Sequence, residues 1–114
     1  MRIEVKGRNV SVGEELRERV ERRFEKIGRQ VSPLAELSVE LREERNPSIH
    51  DSQVAEATLR LKGVTLRAAS AADNMPQAVN LAADELARQV ERHRDKRRRR
   101  RVPSKLEPRP AASQ

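Results

Sequence analysis

The first positions of the chain alternate between apolar and charged side chains. In "RIEVKGR" (residues 2–8), Ile3 and Val5 fall on one side and charged residues fall on the other. A period of two residues is that of a strand with one buried face. The pattern therefore predicts a first strand at the N-terminus.

The period changes after Asn9 to that of an amphipathic helix. Apolar residues recur at i, i+4, i+8 and i+11, namely Leu16, Val20, Phe24 and Ile27. Ser11 and Glu14 resemble a capping box, and Gly28 is positioned as a C-terminal stop. The pattern predicts a helix over about residues 13–27.

Three further strands are predicted in the middle of the chain. "ELSVELR" alternates again, and "VAEATLRL" and "VTLRAA" are joined by "KG", which is short enough for a tight hairpin turn. The intervening "EERNPSIHDSQ" is polar and contains Asn-Pro. It is therefore predicted to be a loop, with His50 as a surface residue.

A long second helix is predicted from near Asp73, which is an acceptable N-cap. Pro76 is tolerated because it falls in the first turn, and Met75 is expected in the core. The apolar face is marked by Val79, Ala83, Leu86 and Val90. The pattern continues at least to His93.

The element order is therefore β-α-β-β-β-α, and the predicted fold class is α+β, with two helices packed on one face of a four-stranded sheet. A chain of 114 residues supports one small core. Six residues are expected in that core, namely Leu16, Phe24, Leu41, Leu59, Leu86 and Val90. The folded domain is expected over residues 1–101, and the proline-containing residues 102–114 are expected to be a disordered tail or a linker.

The charge of the chain is distributed unevenly. Residues 1–87 carry 14 Lys and Arg against 15 Asp and Glu, whereas residues 88–114 carry 11 against 3. The net charge of +7 thus comes entirely from the last quarter of the chain. This asymmetry favours a polyanionic partner, either nucleic acid or a membrane surface.

The same composition argues against several function classes. The chain has no cysteine and no apolar run of the roughly 20 residues that a membrane span needs, so a cytoplasmic protein is expected. Its two histidines, His50 and His93, have no companions that would complete a metal site or a catalytic triad. We therefore predict no enzyme activity, no cofactor and no small-molecule substrate.

The charged residues of the two helices are sorted by face. On a helical wheel, helix one separates a basic stripe from an acidic one, which either is a solvated face with i, i+4 ion pairs or contributes to a binding surface. Helix two carries a cationic ridge about 17 Å long opposite its apolar face. The ridge consists of Arg88, Arg92, Lys96 and Arg99.

The cationic ridge matches phosphate chemistry. It is expected to lack acidic partners, and guanidinium groups match phosphate oxygens while each contact releases counterions. The only aromatic residue, Phe24, is assigned to the core, so the sheet has no stacking platform for single-stranded RNA. Recognition should then depend on phosphate, sugar and shape.

Three segments resemble the ribosome hibernation-promoting factor family, which includes the ribosome-associated inhibitor proteins. They are "IEVKGRNVSVGEELRERVERRFEKI", "GVTLRAASAADNM" and, most specifically, "LARQVERHRDK" in helix two. The resemblance extends over residues 1 to about 98. It implies the fold predicted above and binding to the small ribosomal subunit where mRNA and tRNA normally lie, which keeps idle ribosomes inactive.

The resemblance also implies which residues bind ribosomal RNA. It transfers Arg88, Arg92, His93, Arg94 and Lys96 from helix two, and Arg17, Arg23 and Lys26 from helix one. Together with the wheel analysis, the expected RNA-binding residues are Arg22, Arg23, Lys26, Arg88, Arg92, His93, Arg94, Lys96, Arg97 and Arg99.

The chain departs from the family pattern at three points. It has "NMP" where relatives usually have Asp-Met-Tyr, and Glu85 stands at a position that is often basic. Long relatives carry a dimerisation domain after a linker, and nothing after Val102 is expected to fold as one. The chain is then either a short form or one cut in its linker, and dimerisation is not expected from it alone.

Two other functions fit the same residues. The first is a general double-stranded RNA-binding module that recognises A-form shape without preference for ribosomes. The second is an interaction protein whose basic segment contacts acidic proteins or a membrane.

Overall fold

A computed structural model describes residues 1–44 and 52–101, with side chains as far as residue 98. The elements are β1 (Arg2–Arg8), α1 (Glu14–Gly28), β2 (Glu36–Glu43), β3 (Gln53–Leu61), β4 (Val64–Ala72) and α2 (Met75–Arg101). The predicted order β-α-β-β-β-α is confirmed. The predicted loop residue His50 and the predicted tail 102–114 lie outside the described residues.

The four strands form one mixed sheet in the order β1-β2-β3-β4. β1 runs parallel to β2, whereas the β2–β3 and β3–β4 pairs are antiparallel. The register aligns Val5 with Val39, Val39 with Ala57, and Ala57 with Ala68. Since side chains alternate along a strand, these four positions face the same side of the sheet.

Both helices pack against that side of the sheet and form one core with it. Phe24 of α1, Leu41 and Leu59 of the sheet, and Leu86 and Val90 of α2 are all fully buried. The sixth expected core residue, Leu16, is half-buried and packs against the edge of this cluster. The opposite face of the sheet carries the charged residues of the strands, and we call it the open face.

Two tight connections depend on backbone conformations that suit only certain residues. Lys62 and Gly63 join β3 to β4 as predicted, and Gly63 has a φ of 81°. After β1, Asn9 has a φ of 62°, a left-handed conformation that asparagine tolerates better than most residues. A Cβ at Gly7 would collide with the carbonyl oxygen of Val10, so the chain can turn this closely only with glycine there.

The predicted ends of α1 are wrong in detail. Gly13 is the N-cap of α1 and no side chain caps the helix, so Ser11 and Glu14 do not form a capping box. Gly28 lies inside the helix, and Arg29 is the C-cap in a right-handed helical conformation. Gly13 has the extended backbone of an N-cap residue, but it has no side chain that could cap the helix. At the C-terminal end of α1 no residue is left-handed, so the conformation that favours glycine is not needed.

The second helix begins one residue later than predicted. Asn74, and not Asp73, is the cap: its Oδ1 accepts a hydrogen bond from the Gln77 backbone N–H at 2.9 Å. Its carbonyl accepts from Ala78 N–H at 3.2 Å. Asn74 stands three positions before Gln77, which is the spacing an N-cap side chain needs to reach a free N–H of the first turn.

The second helix is much longer than the core that it covers. Its 27 residues correspond to about 40 Å, and its last fully buried residue is Val90. The 11 residues from Glu91 to Arg101 therefore continue roughly 16 Å beyond that point. We call residues 91–101 the overhang of α2.

Candidate nucleic-acid interface

The residues of the cationic ridge emerge from the solvent-facing side of α2. Arg88 and Arg92 have exposed side chains (63% and 69%), and Lys96 is exposed as well. Arg99 belongs to the helix backbone, but its side chain lies outside the described residues. The described part of the ridge is thus open to a partner along two to three helical turns.

The ridge is not free of acidic partners, which corrects the sequence-based expectation. Glu85 Oε1 accepts a hydrogen bond from Arg88 Nη2 at 2.7 Å, and Glu85 Oε2 lies 3.9 Å from Arg92 Nη2. Hydrogen bonds from Arg88 and then from Gln89 lower the pKa of Glu85 below its ordinary value, so it is ionised at neutral pH. The pairing arises because Glu85 stands three residues before Arg88, on the same side of the helix.

The other cations of the overhang point in several directions. Arg94, Arg97 and Arg98 are exposed, whereas His93 is half-buried. His93 and Arg97 follow Val90 at i+3 and i+7, so they prolong the stripe that is buried further back along the helix. The inner stripe of α2 thus changes from apolar to basic where the core ends.

A cavity of about 550 Å³ lies next to the part of α2 where the inner stripe changes from apolar to basic. His93, Arg94 and Arg97 line it from α2, and Arg60 and Lys62 line it from the end of β3 and the turn that follows. We call it the end cavity. It brings together three predicted RNA-binding residues and two cations that the sequence analysis did not select.

Arg23 has a different environment from the one expected of a phosphate-binding residue. Its Nε donates to Asn80 Oδ1 at 3.0 Å, and its Nη2 lies 2.6 Å from Asp84 Oδ1. Both partners belong to α2, so this guanidinium links the two helices. Arg17, which the resemblance also selected, donates to the Val5 carbonyl at 3.4 Å and is half-buried.

The remaining residues of α1 are solvent-exposed. Arg22 and Lys26 are exposed, and Arg22 borders a shallow groove together with Glu18, Glu21 and Glu25. Arg29 pairs with Glu25 at 3.4 Å, one turn apart. An i, i+4 pair of this kind is what a solvated helix face contains, so α1 contributes a mixed surface and α2 a cationic one.

One part of the open face of the sheet is a cluster of compensating charges around Arg42. Arg42 Nη1 lies 3.0 Å from Glu56 Oε1 and 3.2 Å from Glu40 Oε1. Opposite charges at neighbouring positions of a sheet compensate one another. This cluster offers little unbalanced charge to a polyanion, whereas Arg2, Lys6 and Arg8 of β1 are exposed cations on the same face.

A family model described as "Sigma 54 modulation protein / S30EA ribosomal protein" matches residues 3–98. The match includes all four strands, α1 and α2 almost to its end. The chain belongs to this family. The family consists of ribosome-associated factors and not of enzymes, in agreement with the resemblance and with the expectation that the chain is not an enzyme.

Individual relatives agree with this assignment. The ribosome hibernation promoting factor of Salmonella typhimurium is 33% identical over 96 residues, which are 84% of this chain and 96% of that protein. The ribosome hibernation promotion factor of Picosynechococcus is 29% identical over 97 residues, which are 84% of this chain and 50% of that protein. The chain therefore spans about half the length of one relative and nearly all of the other. Both relatives are named as ribosome hibernation factors.

Two solved structures share the fold. A ribosomal subunit interface protein from Coxiella burnetii superposes with a TM-score of 0.69 at 20% identity, over 83% of this chain and 99% of that one. The N-terminal domain of Protein Y from Thermus thermophilus gives a TM-score of 0.71 at 24% identity, over 82% and 99%.

The sequence analysis did not predict the acidic and amide partners of Arg23 and Arg88. Glu85 could have been found from its spacing to Arg88 within one helix. Asp84 and Asn80 could not, because they meet Arg23 only after the two helices pack. Lys62 likewise comes to line one cavity with the overhang only through the fold.

The described residues contain no group of three or more His, Cys, Asp and Glu side chains that could hold a metal ion. Neither described helix has an apolar stretch long enough to cross a membrane.

Proposed function

We propose that this chain is a ribosome hibernation factor that binds the small ribosomal subunit in its decoding region and inhibits translation by occluding the mRNA and tRNA sites. The observation that carries the proposal is the projecting, cationic outer surface of α2. It is supported by membership of a family of ribosome-associated factors and by relatives that are named hibernation factors.

The inhibition needs no chemistry, because a folded body that occupies an RNA surface excludes other ligands from it. Arg92 and Lys96 on the outer side of α2 would each contact phosphates, and Arg88 would do so in competition with Glu85. Each such contact releases counterions, so binding weakens as salt rises. The core and the Arg23–Asp84 pair hold α2 in one orientation, which favours one fixed mode of binding over diffuse attraction.

The expected RNA-binding set divides into three groups under this proposal. The outer cations Arg88, Arg92 and Lys96 bind phosphate, and Arg22 and Lys26 add weaker contacts from α1. Arg99 continues this row in the sequence, and its side chain lies outside the described residues. His93, Arg94 and Arg97 serve the end cavity. Arg23 orients the helices and makes little direct contact with RNA.

Co-sedimentation tests the proposal against its alternatives. The chain is mixed with purified small subunits, with an equal mass of duplex RNA, or with anionic vesicles, at a series of salt concentrations. Selective sedimentation with small subunits, together with inhibition of translation in vitro, is expected. Equal binding to duplex RNA would favour a general RNA-binding module, and preferential binding to vesicles would favour a membrane partner.

Residues 1–114 by themselves are not expected to join ribosomes into dimers, because the resemblance assigns that step to a separate domain of long relatives. A sucrose gradient of ribosomes with this chain as the only added factor should show no paired ribosomes. A peak of paired ribosomes would contradict this part of the proposal.

A further inference from the structure

The end cavity combines an apolar floor with a cationic wall. Val31 from the connection after α1, Leu61 from β3 and Val90 from α2 contribute apolar surface. Its volume, about 550 Å³, falls in the range of roughly 300–1,000 Å³ that is typical of small-ligand sites. The cavity is therefore large enough for a ligand that has both an apolar part and a charged part.

Leu34 stands at the rim of the cavity with 90% of its surface exposed. The turn that presents it is held by two hydrogen bonds: Leu34 N–H donates to Ser32 Oγ at 3.1 Å, and Ala35 N–H donates to the Ser32 carbonyl at 3.0 Å. The side chain is thus held out in water next to an apolar floor. A large exposed apolar residue in this position fits a contact surface.

The charges of the cavity favour an anion. Arg60, Lys62, Arg94 and Arg97 line it, and the one acidic residue of its lining is Glu36. Within the part of the chain that the structure describes, none of these four cations forms an ion pair. Glu36 and Arg60 are register partners on the open face and compensate one another, so the excess positive charge of the lining comes from Lys62, Arg94 and Arg97.

We propose that the end cavity binds a single nucleotide, with the base against the apolar floor and Leu34 and the phosphate on the charged groups of Lys62 and Arg97. A nucleotide joins a flat ring, which packs on apolar side chains and on guanidinium planes, to a phosphate that guanidinium groups bind through paired hydrogen bonds. This inference deepens the proposed function and rests on it for the source of the ligand. That source is an unstacked nucleotide of ribosomal RNA, and a free nucleotide has the same chemistry.

The test titrates the full chain with adenosine 5′-monophosphate, with adenosine and inorganic phosphate as partial ligands. NMR signals of the His93 ring, assigned with a His93→Gln variant, report binding in the cavity. The nucleotide is expected to saturate these signals at lower concentration than either partial ligand. The double variant Leu34→Ser with Lys62→Gln should weaken nucleotide binding about tenfold or more, equivalent to 1.4 kcal/mol or more.

A matched control keeps the test independent of folding and of net charge. Leu81→Ser with Arg8→Gln removes a second large apolar residue that is exposed in the described part of the chain and an exposed arginine of β1, both away from the cavity lining. It should bind the nucleotide as the parent does, and circular dichroism should show that both double variants are folded. Nucleotide binding no tighter than that of phosphate, or unchanged binding in the cavity variant, overturns the inference.

Sedimentation with small subunits then identifies the source of the nucleotide. If the cavity variant loses affinity for subunits as well as for the nucleotide, the ligand is part of ribosomal RNA. If the cavity variant loses affinity for the nucleotide but not for subunits, the natural ligand is a free nucleotide, and the proposed site is retained. Failure of the parent chain to bind subunits would refute the proposed function without affecting the nucleotide titration.

Discussion

The guanidinium of Arg23 on α1 lies 2.6 Å from the carboxylate of Asp84 on α2, 61 positions further along the chain. The same guanidinium donates to Asn80, one turn earlier on α2. Arg23 therefore joins the two helices at a point above the core. A residue selected for RNA binding on sequence grounds acts here as a link within the protein.

The link between Arg23 and Asp84 should contribute modestly to stability. Both side chains are partly exposed (39% and 53%), and pairs of this kind contribute about 0.2–1 kcal/mol to the free energy of unfolding. A double-mutant cycle with Arg23→Gln and Asp84→Asn, measured by urea unfolding, should give a coupling energy in that range. Zero coupling would mean that the pair does not orient α2.

The cationic ridge should account for a measurable part of the salt dependence of binding. Replacing Arg88, Arg92 and Lys96 by Gln should flatten the slope of log affinity against log salt by about two units or more, at 0.7–0.9 per phosphate contact. It should also abolish translation inhibition at physiological salt. The measurement is subunit sedimentation over a salt series.

A control for the ridge variant removes the same charge elsewhere. Arg2, Lys6 and Arg8 are exposed on the open face of β1, and their triple change to Gln should leave the slope nearly unchanged. Circular dichroism must show both triple variants folded. If the folded ridge variant inhibits translation as well as the parent does, the ridge is a solvated face.

Glu85 should restrain the affinity for RNA, because its carboxylate occupies Arg88 and adds negative charge beside Arg92. Glu85→Gln should tighten binding to small subunits at low salt and steepen the salt dependence. Glu4→Gln, an equal change of charge at an exposed position of β1, should have a smaller effect. If Glu85→Gln and Glu4→Gln change the affinity equally, Glu85 acts only through the net charge of the chain and not through its pairing with Arg88.

Glu85 should also contribute to the response to acid. The hydrogen bond from Arg88, then that from Gln89, lowers its pKa in the folded chain below the ordinary 4.5. A carboxyl group of this kind stabilises the fold above its unfolded pKa, and the contribution is lost as pH falls through the lower folded value. Urea unfolding of Glu85→Gln should therefore lose less stability than the parent between neutral pH and the region below pH 4.5. An identical acid dependence would contradict the pairing.

Phe24 should be the most sensitive core position of α1. It is fully buried and is the only aromatic residue of the chain. Phe24→Ala should cost about 3–5 kcal/mol in the free energy of unfolding, from lost burial and the cavity left behind. Leu34→Ala, at a position exposed to 90%, should have nearly no effect on the same thermal unfolding curve. An unchanged melting temperature for Phe24→Ala would contradict the core assignment.

Most of the fold could be predicted from the sequence because each element buries one face. Alternation in β1 and β2, and the 3.6-residue period of Val20, Phe24 and Ile27, are local consequences of that burial. The helix ends were predicted less well. Asp and Asn are both favoured as N-caps, so the sequence does not distinguish Asp73 from Asn74. The backbone conformation of the first turn decides that Asn74 caps α2.

The sequence by itself determined the order of elements, the core and the concentration of positive charge on α2, since all three are properties of residues close together in the chain. Only the tertiary structure decided which cations remain exposed to solvent and which are engaged inside the protein. Arg23 meets Asp84, and Lys62 lines the end cavity together with the overhang of α2, because packing both helices on one face of the sheet brings distant segments together. Ion pairs and cavities depend on distances of a few ångströms between such segments, and no periodicity within one segment encodes those distances.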